Sequence, residues 1–436
     1  MNERPTSETY CIVGAGPAGL CMARNLQRLD IPFVGYERSH GVGGLWDIDN
    51  PHSSVYESAH LISSKTTTEF KEFPMPPGAA DYPSHRELLD YFRSYADHFG
   101  LTDHYRFETG VEHIERADDG WNVRLSTGET VRHKGVILAS GTLWSPKVPE
   151  FEGEFTGEFI HSKDYKSGEI FLGKRVLIIG AGNSGCDIAV DAVHRADRVS
   201  MSVRRGYHFV PKYVFGKPAD TLGGLVNLPP KLKQRLDGII LKWFTGDPVK
   251  RGFPEPDHKL YESHPIVNTL VLYHLGHGDL DVQPDIDRFD GTTVHFTDGT
   301  SAEYDMVLLA TGYKLDYPYI DRDHLNWEGM SPNLYLNIFH PTYDDLFVMG
   351  MIEAAGIGWE GRNEQARLVA EYIRACQQDT EAARAFREAK RDPNVDLSGG
   401  FSYMKKENMA YYVHKDTYRN RVRREIERFT GSPVPA

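Results

Sequence analysis

At 436 residues the chain is long enough for two or three domains around a large buried core. Its composition, 40% hydrophobic, 11% aromatic and 25% charged, is that of an ordinary soluble globular protein. The 49 basic against 62 acidic residues leave a formal net charge of −13, which disfavours a general role on nucleic acid or on an anionic membrane.

The amino terminus, Met1 to Glu8, is polar and lacks an apolar signal core, and no uninterrupted apolar run is long enough to span a bilayer. A cytoplasmic protein with no membrane contact is the expectation. The four cysteines, Cys11, Cys21, Cys186 and Cys376, contain no Cys-x-x-Cys pair. A disulfide framework is therefore not expected in a chain of this size.

Tyr10-Cys-Ile-Val-Gly is an apolar run ending in glycine, the mark of a buried parallel strand. Gly14-Ala-Gly16-Pro-Ala-Gly19 follows, then a helical pattern through Leu20, Ala23, Leu26 and Leu29, and a second strand, Pro32–Tyr36, with Glu37 at its tip. The spacing has a mechanism. Gly14 permits a tight turn, Gly16 lets the backbone approach a pyrophosphate, Gly19 lets helix pack on strand, and Glu37 accepts from ribose hydroxyls. This predicts a dinucleotide-binding unit.

Gly41-Val-Gly43-Gly44-Leu-Trp46 can run against a flat ligand, with Trp46 as cover. Ser63–Thr68 and the proline-rich Phe73–Pro77 read as loop. Ser84 to Phe99 reads as a helix with a Ser84/Glu87 capping box. From Phe107 to Val131 the pattern is that of strands, with turns at Asp119-Gly120 and Thr127-Gly128, leading into Gly135–Gly141. The same phrase returns at Thr297–Gly312, so two like modules are expected, each closing a sheet with a glycine at its ligand edge. Pro146 and Pro149 mark the crossing out of the first module.

The second module opens with Lys174–Ile179, turns through Gly180-Ala-Gly182-Asn-Ser-Gly185, and continues as helix Cys186–Val193 and strand Arg198–Val203. Arg204-Arg205 stands at the tip where the first module has Glu37. Two guanidinium groups there suit a 2′-phosphate, and so NADPH. Farther on, Leu232, Leu236, Ile239, Ile240, Trp243 and Phe244 recur at helical spacing beside Lys231, Lys233, Arg235 and Lys242. Such an amphipathic segment has the composition to touch a membrane or a partner, but packing as a lid or against the protein itself is the expectation. His274-x-x-His277 with Asp279 has metal-ligand chemistry, but Gly276 and Gly278 are expected to break the helix that would align it. Thr380–Lys390 and Asp416–Phe429 read as charged, solvated helices.

Between the two glycine turns lies Phe155-x-Gly157-x-x-x-His161-x-x-x-Tyr165. It reads as a linker holding the modules face to face, with the ring nitrogens of His161 able to bridge two groups. In this position it resembles the fingerprint of the flavin-containing monooxygenases. Gly-Gly-x-Trp46, Ala310-Thr-Gly-Tyr313, Asp345–Gly350 and Glu364–Arg367 resemble other segments of that family, and the likeness runs from Tyr10 to about Ile373. Related Baeyer–Villiger enzymes end the fingerprint in tryptophan; this chain has Tyr165.

The resemblance implies FAD at the first turn and NADPH at the second. Cofactor contacts are expected from Gly14, Gly16, Pro17, Ala18, Gly19, Glu37, Arg38, Gly44, Leu45, Trp46, Ser64, Thr66 and Val111. In the second half of the site they are expected from Gly182, Asn183, Ser184, Gly185, Ser202, Arg204, Arg205, Ala310, Thr311, Gly312 and Tyr313. Counting back from Phe73-Pro74, Lys65 falls where the family carries an asparagine beside the flavin ring. It is the catalytic candidate, one that would tilt the chemistry towards ketones.

The expected fold is α/β, with two Rossmann-like dinucleotide-binding domains, the NADPH domain inserted into the FAD domain. The boundaries fall at 1–165, 166–299 and 300–436, the last including carboxy-terminal helices. Three destinations compete for the electrons. The resemblance implies molecular oxygen, held as a flavin hydroperoxide and delivered to a small-molecule nitrogen, sulfur or ketone. A dithiol reductase needs a cysteine pair that is absent, and a nucleotide-dependent sensor would keep the fold without catalysis. Substrate identity is not written in these motifs. A homodimer is compatible with the sequence, which carries no assembly signal.

Overall fold

The computed structural model describes residues 6–222 and 230–434. Residues 1–5, 223–229 and 435–436 and the side chains of Pro230, Lys231 and Asn408 lie outside that description. Tyr10–Val13 is buried at every residue and sits at the centre of a five-stranded parallel sheet. The order is Leu346–Val348, Gly135–Leu138, Tyr10–Val13, Phe33–Tyr36, Tyr105–Arg106. Strands buried on both faces need apolar side chains throughout, which is why these runs do not alternate. A second five-stranded parallel sheet has the order Glu158–His161, Met306–Leu309, Arg175–Ile179, Arg198–Ser202, Asp281–Gln283.

Each sheet carries the expected antiparallel annex. Val111–Ala117, Gly120–Leu125 and Thr130–His133 form the first, and Ile286–Gly291, Thr293–Phe296 and Ser301–Glu303 belong to the second. The helix His85–His98 has its complete capping box, Ser84 Oγ accepting from the Glu87 amide and Glu87 Oε2 accepting from the Ser84 amide at 2.9 Å.

The domain boundaries move. Glu158–His161 and Met306–Leu309 pair with each other and belong to the second sheet, although boundaries at 165 and 299 leave both in the first domain. The chain crosses out near Ser145–Pro146 and back at Tyr313–Lys314, and these segments pair antiparallel as a two-stranded bridge. The Phe155–Tyr165 stretch is accordingly no linker but mainly an edge of the second module. A Cβ on Gly157 would lie 2.6 Å from the Asp305 carbonyl, so only glycine lets these strands close.

The carboxy-terminal helices are docked rather than solvated. Lys415–Thr430 buries Tyr418, Val422 and Ile426 at four-residue spacing against Gly358–Gln377, and Arg419 and Arg423 both reach Glu364 Oε1, at 2.7 and 2.8 Å. Glu381–Ala389 buries Phe386. Four of the arginines that suggested solvent are partners of buried acids, Arg419 and Arg423 of Glu364 and Arg421 and Arg428 of Glu425.

Candidate cofactor and active site

The first turn has the geometry its glycines suggested. Gly14 has φ +104°, a region that favours glycine. A Cβ on Gly19 would lie 1.9 Å from the Gly14 carbonyl, so Gly19 serves helix-on-turn packing and does not face the cleft. Gly16 is the open position: a Cβ there would meet only the Gly44 Cα, at 3.7 Å. The helix Pro17–Arg28 begins behind it with no side-chain cap, leaving its first amides for an anion. Glu37 is buried, its oxygens accepting from the Ala15 amide at 2.7 Å and the Ser39 amide at 2.8 Å. Each oxygen retains a lone pair for a ribose hydroxyl.

The second turn repeats this. Gly180 has φ +108°, a Cβ on Gly185 would lie 2.2 Å from the Gly180 carbonyl, and Gly182 faces open space. Asn183 is committed elsewhere, accepting from the Val267 amide at 2.7 Å and donating to the Pro265 carbonyl at 3.1 Å. Ser202 donates to the Pro284 carbonyl at 2.7 Å. Arg204 is exposed and makes no ion pair among the described residues, and Arg205 has Asp257 at 3.7 Å. Unlike Glu37, this strand tip carries an excess of positive charge.

Between the turns opens one cleft of about 2430 Å³, more than twice the roughly 300–1,000 Å³ of a single small-molecule pocket. It is lined by Gly14, Gly16, Pro17, Ala18, Glu37, Arg38, Gly44, Leu45, Trp46 and Val111 from the first module. Gly182, Asn183, Ser184, Gly185, Ser202, Arg204, Arg205 and Ala310–Tyr313 face it from the second. An anion-ready helix start, an open glycine and a charged strand tip occur twice around it, which fits two dinucleotides, FAD at the first set and NADPH at the second. Trp144, beside the Arg38 guanidinium at 5.3 Å, keeps a buried indole N–H with no partner, a donor available to a ligand.

Ser64, Lys65 and Thr66 do not line the cleft; Ser63, Thr67 and Thr68 do. The segment is a single helical turn, Lys65–Thr68, which rotates the Lys65 ammonium onto the carbonyls of Pro77 (3.1 Å) and Ala79. The Ser64 amide donates to Asp220 at 2.7 Å, and Thr66 is exposed. The expectation that Lys65 faces the flavin is therefore corrected.

His161 is buried and bridges as its ring allows. Nδ1 accepts from the Lys163 amide at 3.0 Å and Nε2 donates to the Gly312 carbonyl at 3.1 Å, while burial lowers its pKa. The His274 ring sits 2.9 Å from Asp279, in a helix, Leu270–His277, that runs through Gly276 and ends at Gly278. Among the described residues no cluster of potential ligands could hold a metal ion, and no helix is long and apolar enough to cross a membrane.

Several cleft residues had no local signal. Asp187 joins Tyr56 of the first module (3.0 Å) to Asn268 (2.6 Å), and burial raises its pKa. His264 has a buried Nδ1 without a partner, 6.1 Å ring to ring from Tyr412, and Glu353 lies nearby. Lys406 stands 5.8 Å over the Tyr207 ring, its pKa lowered by burial and by the neighbouring Arg205. Only a pattern linking positions some 200 residues apart would have found it.

The profile of the family described as "Flavin-binding monooxygenase-like" matches residues 7–423. Flavin-containing monooxygenase 5 of Oryctolagus cuniculus is 30% identical over 380 residues, 79% of this chain and 69% of the relative. The probable indole-3-pyruvate monooxygenase YUCCA9 of Arabidopsis thaliana is 32% identical over 322 residues, 70% of this chain and 75% of the relative. Among solved structures, cyclohexanone monooxygenase from Rhodococcus sp. Phi1 bound to NADP+ superposes with a TM-score of 0.74 at 19% identity, covering 99% of this chain and 100% of that one. A family match over nearly the whole chain, on a fold with two dinucleotide turns facing one cleft, makes this chain a member of the flavin-binding monooxygenase-like family, an oxidoreductase.

Proposed function

We propose that the protein uses NADPH, FAD and molecular oxygen to oxygenate a soft nitrogen or sulfur nucleophile of a small molecule. The observation that carries this reading is the single cleft into which both open glycines, Gly16 and Gly182, face. A hydride donor and a flavin held at these turns would share one cleft. When bound, FAD supplies the redox chemistry, accepting a hydride and activating oxygen. The chain's own residues bind, orient and exclude water. In balance, NADPH, a proton, oxygen and substrate give NADP+, water and the oxygenated product.

Glu37 would hold the adenosine ribose of FAD, Arg204 and Arg205 the 2′-phosphate of NADPH, and Lys406 would add a third cation beside them. His264, Glu353 and Tyr412 supply polar groups within the cleft. The reason to favour ketones was an ammonium group beside the flavin, and Lys65 directs its charge to Pro77 and Ala79 instead. Heteroatom oxidation is therefore preferred over Baeyer–Villiger insertion.

The test is to purify the yellow protein and follow NADPH loss and oxygen uptake with a sulfide, a tertiary amine and a strained cyclic ketone, identifying each product. Equimolar NADPH and oxygen consumption with a sulfoxide or N-oxide is expected. Hydrogen peroxide in place of oxygenated product would make it a flavin reductase or oxidase. A protein without flavin and without NADPH turnover would point to a sensor. Lactone as the dominant product would reinstate the ketone reading.

A further inference from the structure

The helix Pro230–Thr245 is apolar on two sides. Leu241 is half-buried and lines the cleft, whereas Ile240 and Phe244 border the cleft mouth and remain 53% and 47% exposed. Leu232, Leu236, Ile239 and Trp243, at i, i+4, i+7 and i+11, form a separate stripe, 46%, 41%, 52% and 87% exposed. Phe215, 88% exposed, stands edge-on to Phe244 at 5.7 Å and extends the apolar surface towards the cleft. The expectation that this segment packs on its own protein holds for one face only.

We propose that this outer face docks the protein on an anionic lipid surface, with Trp243 and Phe215 entering the headgroup region. The charge of the face selects the occupant. In a chain of net charge −13, this helix carries Lys231, Lys233, Arg235 and Lys242 against Asp237 alone. Lys233 is held by Asp237 at 2.5 Å. Arg235, Lys242 and, just beyond the helix, Lys250 are exposed and have no ion pair among the described residues. Basic residues flanking an apolar stripe that ends in tryptophan are the composition of an interfacial helix. A second copy of this chain fits less well, because a two-fold contact sets each patch against itself and brings Arg235, Lys242 and Lys250 near their own counterparts. The whole-chain net charge argued against an anionic membrane, but it averages over the surface, and docking is decided by the local patch. Docking here is independent of which molecule the cleft oxidises.

The test uses the flavin-loaded full-length protein and vesicles of phosphatidylcholine with or without 30% phosphatidylglycerol. Cosedimentation with the anionic vesicles, a blue-shifted tryptophan emission and release at high salt are expected. Trp243→Ser combined with Phe215→Ser should reduce binding at least tenfold. Arg235→Gln and Lys242→Gln should each weaken it about fivefold, on anionic vesicles only. Flavin content and thermal midpoint establish that the variants fold. If a variant misfolds, the salt dependence and emission shift of the unmodified protein still decide. No vesicle binding, or binding that these substitutions leave unchanged, overturns the proposal. So does a concentration-dependent dimer dispersed by Trp243→Ser without vesicle binding, which would assign the face to a second copy.

Discussion

Removing Arg204 and Arg205 tests the coenzyme site most directly. Arg204 is exposed and makes no ion pair among the described residues, and the Arg205 side chain is 32% exposed with Asp257 at 3.7 Å. A buried charged hydrogen bond contributes about 1.5–3 kcal/mol. Solvent screening at this exposure reduces each to about 1 kcal/mol, or about fivefold in affinity per arginine. The double alanine variant should therefore bind 2′,5′-ADP about 30-fold more weakly than the unmodified protein. Binding of 5′-AMP, which lacks the 2′-phosphate, should be almost unchanged. Calorimetry with the two nucleotides measures this without turnover, and the Michaelis constants for NADPH and NADH should separate in the same sense. Raising ionic strength should narrow the gap. Equal losses for both nucleotides would refute the reasoning, leaving the arginines a structural role. Lys406→Ala, predicted at about fivefold on 2′,5′-ADP alone, distinguishes a three-cation site from a two-cation one.

Gly16→Val should yield colourless protein, whereas Gly182→Val should stay yellow but lose reduction by NADPH; loss of flavin from Gly182→Val alone would reverse the module assignment. His133 is held neutral between the Thr9 hydroxyl and the Tyr36 hydroxyl, each at 2.9 Å, and burial pushes its pKa from 6.5 down to about 4. The unfolded chain takes up this proton near pH 6.5 and the folded one only near 4. Stability is thus lost as pH falls through that window, by about 3 kcal/mol at 1.36 kcal/mol per unit. Urea midpoints of the unmodified protein and His133→Asn should converge towards pH 4, and parallel pH slopes would refute it. Lys65→Met should leave the ketone-to-sulfide product ratio and flavin reduction unchanged, and a shifted ratio would return its ammonium to the cleft.

Much of the fold was legible because its signals are local. A glycine turn, the strand before it and the helix after it lie within some 20 residues, and both copies were found in full. Glu37 and Arg204-Arg205 were readable because they sit at a fixed offset from those turns. The Lys65 expectation failed because it rested on counting along a short loop, and a single helical turn rotates side chains by about 100° per residue. Asp187 and Lys406 gave no signal, since the groups beside them arrive from distant segments. The carboxy-terminal helices were misread because Arg419 and Arg423 look solvated until Glu364 is known to be buried beneath them.

The fingerprint from Phe155 to Tyr165 was read as a linker, and its true position explains why those residue types are needed. Gly157 lets the edge strand close on Asp305, and Tyr165 anchors the far end by donating to Asp191 at 2.7 Å. Ser58 of the first module donates to that same Asp191 carboxylate oxygen. Lys166, the next residue, donates to the carbonyls of Ser53 and Val55 at 2.8 and 3.2 Å. Between these anchors His161 holds the Gly312 carbonyl, on the turn where the chain re-enters the first module and beside the two-stranded bridge. The fingerprint therefore fastens the second module to the first at the Ser53–Ser58 segment, while His161 braces the turn that leads into the bridge. The residues that fix the spacing of the two open glycines thus need not touch either cofactor: His161 sets the bridge end and Tyr165 with Lys166 the other. Replacing His161 would loosen that brace and leave both turns intact.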